Sequence, residues 1–463
     1  MKRNELADLA KNHPGLLRLT EYLNDNSAER IRLEGLYGSS KSLVLGGIFN
    51  KFQTTFLVVV PEKEDAAYFY NDLISYAGEE SVFFFPSTYK RSVQYEQTEP
   101  ANIVLRTEVL NYLVSGKRKG IIVTYPESVM EKVISKRNLK KNTFQVSKGD
   151  KLSLEFLEEM LHEYNFKRVD FVYEPGQYSI RGSIVDVFSY SDDLPYRIDF
   201  FGEEVESIRT FNTDDQLSVS IQNQISIIPN IQDISIEEIN DSFIDFLPPS
   251  AIIWLEDAIF IKDRINNIFS LTTQREEAGD ISGKTDIVLT GSRFIEDCRK
   301  FRTVEFGRQS IFEAENRIEF RTEPQPVFNK NFELLSEKLL ANTLNGYETF
   351  IVSESQSQID RLRDIFAEIN PEVHFSPILL NIHGGFTDHD LRISFFTDHQ
   401  IFDRYHKFRI RGYFSRKEST SVRELTGLNP GDYVVHIDHG IGKFGGLEKI
   451  EVNGKVQEAI KLV

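Results

Sequence analysis

Residues 173–209 read YEPGQYSIRGSIVDVFSYSDDLPYRIDFFGEEVESIR. The stretch predicts two strands around a polar turn. Tyr178, Ile180 and Ile184 share one alternation phase, and Arg181 and Ser183 take the other, with a break of phase near Asp186. After SDDLP at 191–195, Ile198 and Phe200 alternate with Arg197, Asp199 and Phe201. Period-two patterning of this kind marks half-buried antiparallel strands. Arg181, Arg197 and Phe201 fall on the phase expected to face water. A large aromatic beside two guanidinium groups has the composition of a protein-docking hot spot. The plainer alternative packs Phe201 on the turn at Gly202, since singly exposed apolar residues are common. Pattern alone does not exclude Asp199 from the set.

Composition narrows the class. A chain of 463 residues suggests about three domains. The hydrophobic content of 40% is ample for packed cores. The one cysteine, Cys298, excludes a disulfide framework and fits a reducing cytosol. The start, MKRNELADLAKNHPG, lacks an apolar signal core, and no run of 18 apolar residues occurs, so a cytoplasmic location without a membrane is expected. A net charge of -17 disfavours broad binding to phosphate backbones, which needs clustered Lys and Arg. Protein partners are the better expectation.

Along the chain, strands at 31–36, 56–60, 82–85 and 120–124 alternate with helices at 41–52, 65–76 and 104–114. That order implies a parallel sheet covered on both faces. From 141 the pattern changes to strands around one amphipathic helix at 153–164. Residues 218–320 return to strands, at 250–255 and 285–290, and helices. A second α/β unit follows, with helices at 334–344 and 356–369 and a strand at 349–352. Residues 405–428, rich in Lys, Arg and Ser, have a linker composition. The segment 429–463 is a run of short strands separated by glycines, with Asn453-Gly454 as a hairpin signal.

GQYSIRGSIVDVF followed by PYRIDFFGEEVESIR resembles the segment shared by the excision-repair protein UvrB and the transcription-repair coupling factors (Mfd). VVHIDHGIGKFGGL, at 434–447, resembles the opening of the coupling factors' polymerase-interacting domain, a small barrel related to the CarD regulators. UvrB has nothing like it, so the resemblance favours the coupling factors. The implied fold is α/β: a degenerate RecA/P-loop-like domain of the UvrB kind at 1–140 and 218–325, with an inserted small α+β domain at 141–217. A second, linking α/β domain at 326–402, a linker at 403–425 and a partial C-terminal β-barrel at 426–463 follow. The resemblance implies docking of the repair protein UvrA through Arg181, Arg197 and Phe201. It further implies contact with the RNA polymerase β subunit through Leu447 and Ile450, with burial of Ile450 in the barrel as the plain alternative. DNA would be engaged mainly by motor domains C-terminal to this region, which would also carry ATP and magnesium. The rivals are a divergent UvrB-type subunit that uses ATP to separate strands, and a motor-less polymerase adaptor.

Gly35, Gly38, Ser40, Lys41 and Ser42 belong to GLYGSSKS, one substitution from GxxxxGK[ST], between a strand and a helix. Ser40 stands where the final glycine would, and its side chain is expected to crowd phosphates. The acidic pair is inverted, Glu256-Asp257 in IIWLEDA, where motors of this type place Asp-Glu. A scaffold without catalytic residues or bound cofactor is therefore expected, and glycine at position 40 should help binding more than hydrolysis. The region of UvrB's DNA wedge, here 88–110, holds only Tyr89 and Tyr95, so no damage-probing role is expected. Two histidine clusters, His383/Asp388/His389/Asp390 and His436/Asp438/His439, lack ligands converging from several elements, and no metal site is expected at either. Ser-His-Asp combinations have no nucleophile-elbow context.

Overall fold

The computed structural model describes residues 12–25, 29–91, 94–98, 100–117, 119–231, 239–279, 281, 284–314, 316–406, 408, 431–436, 440–452 and 455–462. The fold is mixed α/β and divides into two units, 1–410 and 411–463.

In the first unit, seven strands form a wholly parallel sheet in the order Asn316–Glu319, Arg30–Glu34, Arg302–Phe306, Ile252–Glu256, Thr55–Val59, Gly120–Thr124, Val82–Phe85. Its central strands TFLVV, GIIVT and IIWLE are buried along their whole length. That is why they read as continuous apolar runs rather than alternations. Phe85 stacks on Phe243 with centroids 4.0 Å apart, and Trp254 is 1% exposed in the sheet's core. The sheet is assembled from two stretches of chain, and a second sheet lies between them in sequence. Residues 285–290, expected as a strand, form instead a single 3-10 turn, Thr285–Ile287, followed by one bridge from Val288 to Glu131.

The intervening sheet has six strands in the order Ser218–Gln222, Glu204–Phe211, Tyr196–Phe201, Ile184–Val187, Gln177–Arg181, Lys167–Arg168. Neighbours are antiparallel except the last pair. It runs past Leu217, and Gln224–Ile227 returns to pair with Phe144–Ser147. One face is covered by the helix Leu154–Glu163. Ser153 caps that helix by accepting from the Phe156 amide at 3.1 Å. Its buried residues Leu157, Met160 and Leu161 share one side, at the spacing that makes one helical face. They meet Tyr178, Val185, Val187, Tyr196, Ile198, Phe200, Val205 and Ile208 in one core. Each large side chain removed from water contributes roughly 1.5–3 kcal/mol.

The expected phase is wrong at one place. Arg181 pairs directly with Ile184 across a two-residue turn, Gly182-Ser183, where Gly182 has φ +62°. The turn resets the parity, so Ile184 lies on the outer face with Arg181, and Val185 and Val187 take the core. The strand then continues unbroken through Asp186. The region is a meander of short strands, not one long pair.

Within the same unit, a five-stranded sheet runs in the order Thr322–Pro324, Phe386–Asp388, Ile393–Thr397, Glu348–Ser353, Ser376–Leu379, with the helices Phe332–Leu344 and Gln356–Ile369. In the unit 411–463, three antiparallel strands, Tyr433–His436, Gly440–Val452 and Lys455–Leu462, follow one another. A register shift between Phe444 and Leu447 coincides with Gly445-Gly446. Gly446 has φ +100°, a conformation open to glycine. Among the described residues these three strands do not close into a barrel. The Asn453-Gly454 turn and most of the expected linker lie outside the described residues.

Candidate partner-docking face

Cross-strand pairing lays out the outer face of the six-stranded sheet in rows. One row runs Ser179, Asp186, Arg197, Arg209, Ile221; the next runs Arg181, Ile184, Asp199, Ser207. Phe201, two positions beyond Asp199 at the end of its strand, is 79% exposed. The alternation therefore placed Arg181, Arg197 and Phe201 on one face, and the structure brings them there. Phe201 does not pack on its turn.

The two arginines are not free forks. Asp186, 0% exposed at its side chain, lies between them. Arg197 donates from Nε to Asp186 Oδ1 at 2.7 Å and from Nη2 to Oδ2 at 2.9 Å. Its Nη1 donates to the Gln216 carbonyl at 3.1 Å, and the guanidinium lies over the Phe211 ring, 4.4 Å from its centroid. Hydrogen bonding to Asp186 raises the Arg197 pKa above its usual value. Arg181 donates from Nη2 to the same Asp186 Oδ2 and lies 5.1 Å from the Phe171 ring centroid. Its Nε and Nη1 have no hydrogen-bond partner among the described residues, and its side chain is 38% exposed. Asp199, left open by pattern, is satisfied internally, by Arg209 Nη2 and by Ser207 Oγ at 2.6 Å.

Sequence reasoning missed Asp186, because a carboxylate inside a strand reads as a break. It also missed Leu217, Val219 and Ile221, 65%, 59% and 79% exposed on or beside the edge strand. The Val-x-Ile alternation was the available signal, hidden by ending the domain at Leu217.

The degenerate loop is filled from inside the molecule. Gly35 and Gly38 have φ +77° and +54°, as a tight turn between strand and helix needs. The Ser39 amide donates to the Gly384 carbonyl at 2.8 Å, and the Gly384 amide donates to Ser39 Oγ at 2.8 Å. A Cβ on Gly38 would lie 2.8 Å from the carbonyl oxygens of Gly384 and Gly385, so this approach requires glycine. Ser40 does not point into the loop's mouth. Its hydroxyl donates to the Tyr37 carbonyl at 2.6 Å and accepts from the Tyr37 amide at 3.0 Å. The crowding expected of Ser40 is supplied by Gly384 instead. Lys41 donates to Glu256, whose pKa burial pushes up, and Ser42 donates to Asp72 Oδ2 at 2.9 Å. Burial raises Asp72 to about 6. Asp257 accepts from the amides of Arg308 and Gln309 and so holds a neighbouring turn.

The first histidine cluster disperses. His383 stacks on Tyr68, with centroids 3.6 Å apart, while the Tyr347 hydroxyl lies 2.7 Å from His389 Nδ1. Asp388 and Asp390 instead face His13, whose Nε2 lies 3.2 Å and 3.8 Å from them. His13 Nδ1 accepts from the Gly15 amide at 2.9 Å. The ring's proton therefore sits on Nε2, leaving it no lone pair for a metal. Asp438 and His439 of the second cluster lie outside the described residues. Tyr89 and Tyr95 sit in a short antiparallel ribbon, Tyr89–Arg91 with Gln94–Thr98.

Residues 144–232 match the UvrB interaction domain, and residues 428–463 match the CarD-like/TRCF RID domain. The transcription-repair-coupling factor of Bacillus subtilis is 22% identical over 511 residues, covering 91% of this chain and 42% of that protein. Those of Borreliella burgdorferi and Myxococcus xanthus are each 22% identical as well, covering 99% and 92% of this chain and 43% of each relative. The chain aligns with the transcription-repair coupling factors. The chain spans about two fifths of the length of these relatives. A DEAD box protein from Methanococcus jannaschii superposes over 75% of this chain and 61% of its own at 8% identity, with a TM-score of 0.26, too low to bear on the fold.

Arg181, Arg197 and Phe201 lie within the residues that match the UvrB interaction domain, and Leu447 and Ile450 within those that match the RID domain. Leu447 and Ile450 lie on the long strand Gly440–Val452, opposite Ile460 and Gln457. They hold positions of opposite parity in a continuous ladder. Among the described residues no helix is long and apolar enough to cross a membrane.

Proposed function

We propose that this chain is the partner-recruiting portion of a cytoplasmic transcription-repair coupling factor. The UvrB interaction domain docks UvrA through the outer face of its sheet, and the RID portion docks the β subunit of RNA polymerase, with Ile450 as the contact. The whole protein would recognise stalled polymerase, release it by ATP-driven translocation on DNA through motor domains outside these residues, and recruit UvrA to the lesion. The chain itself would be a scaffold, with no catalytic residue and no cofactor of its own. The observation that carries the docking role is Phe201, held 79% exposed on the same sheet face as the arginines, within the match to the UvrB interaction domain. An unsupported aromatic at that exposure is desolvated only by a partner, and such anchors dominate interface energetics.

The test is equilibrium binding of the purified chain to UvrA, with Phe201→Ala and Arg181→Ala beside the wild type. Binding that falls at least about tenfold in each, with unfolding midpoints unchanged, supports the role. A wild-type chain that does not bind UvrA sinks it.

A further inference from the structure

We propose that Arg181, Asp186 and Arg197 act as one preassembled clamp, with Asp186 as its positioning residue, and that the clamp takes a carboxylate-bearing segment of the partner. This deepens the docking role proposed above and rests on it.

Asp186 is 0% exposed, so it cannot touch a partner. It nevertheless accepts from both arginines, bidentately from Arg197 and singly from Arg181. Two guanidinium charges against one carboxylate leave a single positive charge at the surface. Arg197, 15% exposed, has Nε, Nη1 and Nη2 all engaged and is braced against Phe211. It serves as the wall of the clamp. Arg181 keeps Nε and Nη1 without a partner among the described residues, one on each side of its Cδ. An incoming carboxylate can accept a charge-assisted hydrogen bond from Nη1 while Nη2 stays on Asp186. Without Asp186, the Arg181 side chain would sample several rotamers, and ordering it on binding would cost affinity. The long side chain would also lie near Arg197 with nothing to offset the repulsion. Phe201 stands four positions along the strand from Arg197, about 13 Å at the rise of an extended chain. The partner segment that fits carries its carboxylate over the clamp and apolar surface over Phe201.

The experiment measures UvrA affinity and thermal midpoint for the full chain in the wild type, Arg181→Ala, Asp186→Asn and the double variant. Asparagine keeps the shape of Asp186 but loses the charge. Asp186→Asn should weaken binding at least tenfold, and the double variant should bind within about twofold of Arg181→Ala, because removing a positioned group removes the value of positioning it. Wild-type binding retained within threefold by Asp186→Asn overturns the clamp, and so do losses that multiply. A wild type that fails to bind defeats the docking role instead. Should Asp186→Asn not fold, the guanidinium NMR signals of the free wild-type chain decide: slowly rotating, individually resolved groups at Arg181 and Arg197 fit the clamp, and motionally averaged ones overturn it.

Discussion

Four positions along one strand separate Arg197, 15% exposed at its side chain, from Phe201, 79% exposed. Period-two alternation gives the two the same face but cannot distinguish their work, which depends on what sits beneath each. Under Arg197 lies a buried carboxylate; under Phe201 lies the end of the strand. Arg197→Ala should therefore lower stability by about 3 kcal/mol, near the low end for breaking a buried ion pair because Arg181 remains on Asp186. Phe201→Ala should change stability by no more than about 0.5 kcal/mol, while costing at least tenfold in UvrA affinity. Urea midpoints with matched binding curves check both, and the reverse order would show that Phe201 is the structural residue. The same stretch shows why the residue-level reading was incomplete. Ile184 was given to the core because the alternation was carried across Gly182-Ser183, whose left-handed glycine resets the parity. Asp186 was read as a break because a charge within a strand has no sequence mark of the two arginines that cover it.

Elements that meet across long sequence distances were the least legible. The strands near 31, 56, 82, 120, 252 and 349 were visible as short apolar runs, whereas Arg302–Phe306, Asn316–Glu319, Ser376–Leu379 and Ile393–Thr397 were not. The meeting of the 35–42 loop with Gly384 was not, since nothing local connects residues some 345 apart. Its physical requirement is two glycines back to back. A Cβ on Gly384 would lie 2.9 Å from Gly38 Cα and 3.3 Å from the Ser39 nitrogen, atoms of a backbone that cannot step aside. Gly384→Ala should destabilise the first unit by roughly 1–3 kcal/mol, as overpacking does, and should quicken proteolysis near that loop. Unchanged stability and cleavage would show that the contact is not a lock. Beside it, His383, His399 and His406 lie within 6.2 Å of one another by ring centroid, and burial pushes each down to about 4. Histidine in an unfolded chain titrates at about 6.5. Between those values the unfolded chain binds more protons, so these rings contribute stability above pH 6.5 that is lost as the pH falls toward 4. Asp72, raised to about 6, works in the opposite sense, since its proton favours the folded form. His399→Asn should flatten the acid limb of stability between pH 6.5 and 4.5 in denaturant titrations, and an unchanged slope would assign that limb elsewhere.

At the scale of the whole molecule, a parallel sheet with a glycine turn before a helix is the architecture from which nucleotide motors are built, and sequence alone showed that much. It also showed a changed residue at position 40 and an inverted acidic pair, but not the contact that the loop makes with Gly384. Ser40 is turned back onto Tyr37, whereas Gly384, just before the strand Phe386–Asp388, puts its carbonyl against the Ser39 amide. A phosphate-binding loop works by aiming free amides at an anion, and here one of those amides already has an oxygen. The lysine that would reach a phosphate is paired with Glu256, and the hydroxyl that would hold magnesium is bonded to Asp72. The Ser39 amide, Lys41 and Ser42 each have an internal partner, so restoring one glycine is not expected to open the loop to a phosphate. ATP turnover by the purified chain should not exceed that of Lys41→Ala, and Ser40→Gly should leave both turnover and nucleotide affinity unchanged. Gain of nucleotide binding in Ser40→Gly would return the block to the Ser40 side chain. Turnover above the Lys41→Ala control would mean that the Gly384 loop withdraws in solution and that the first domain still works as a motor.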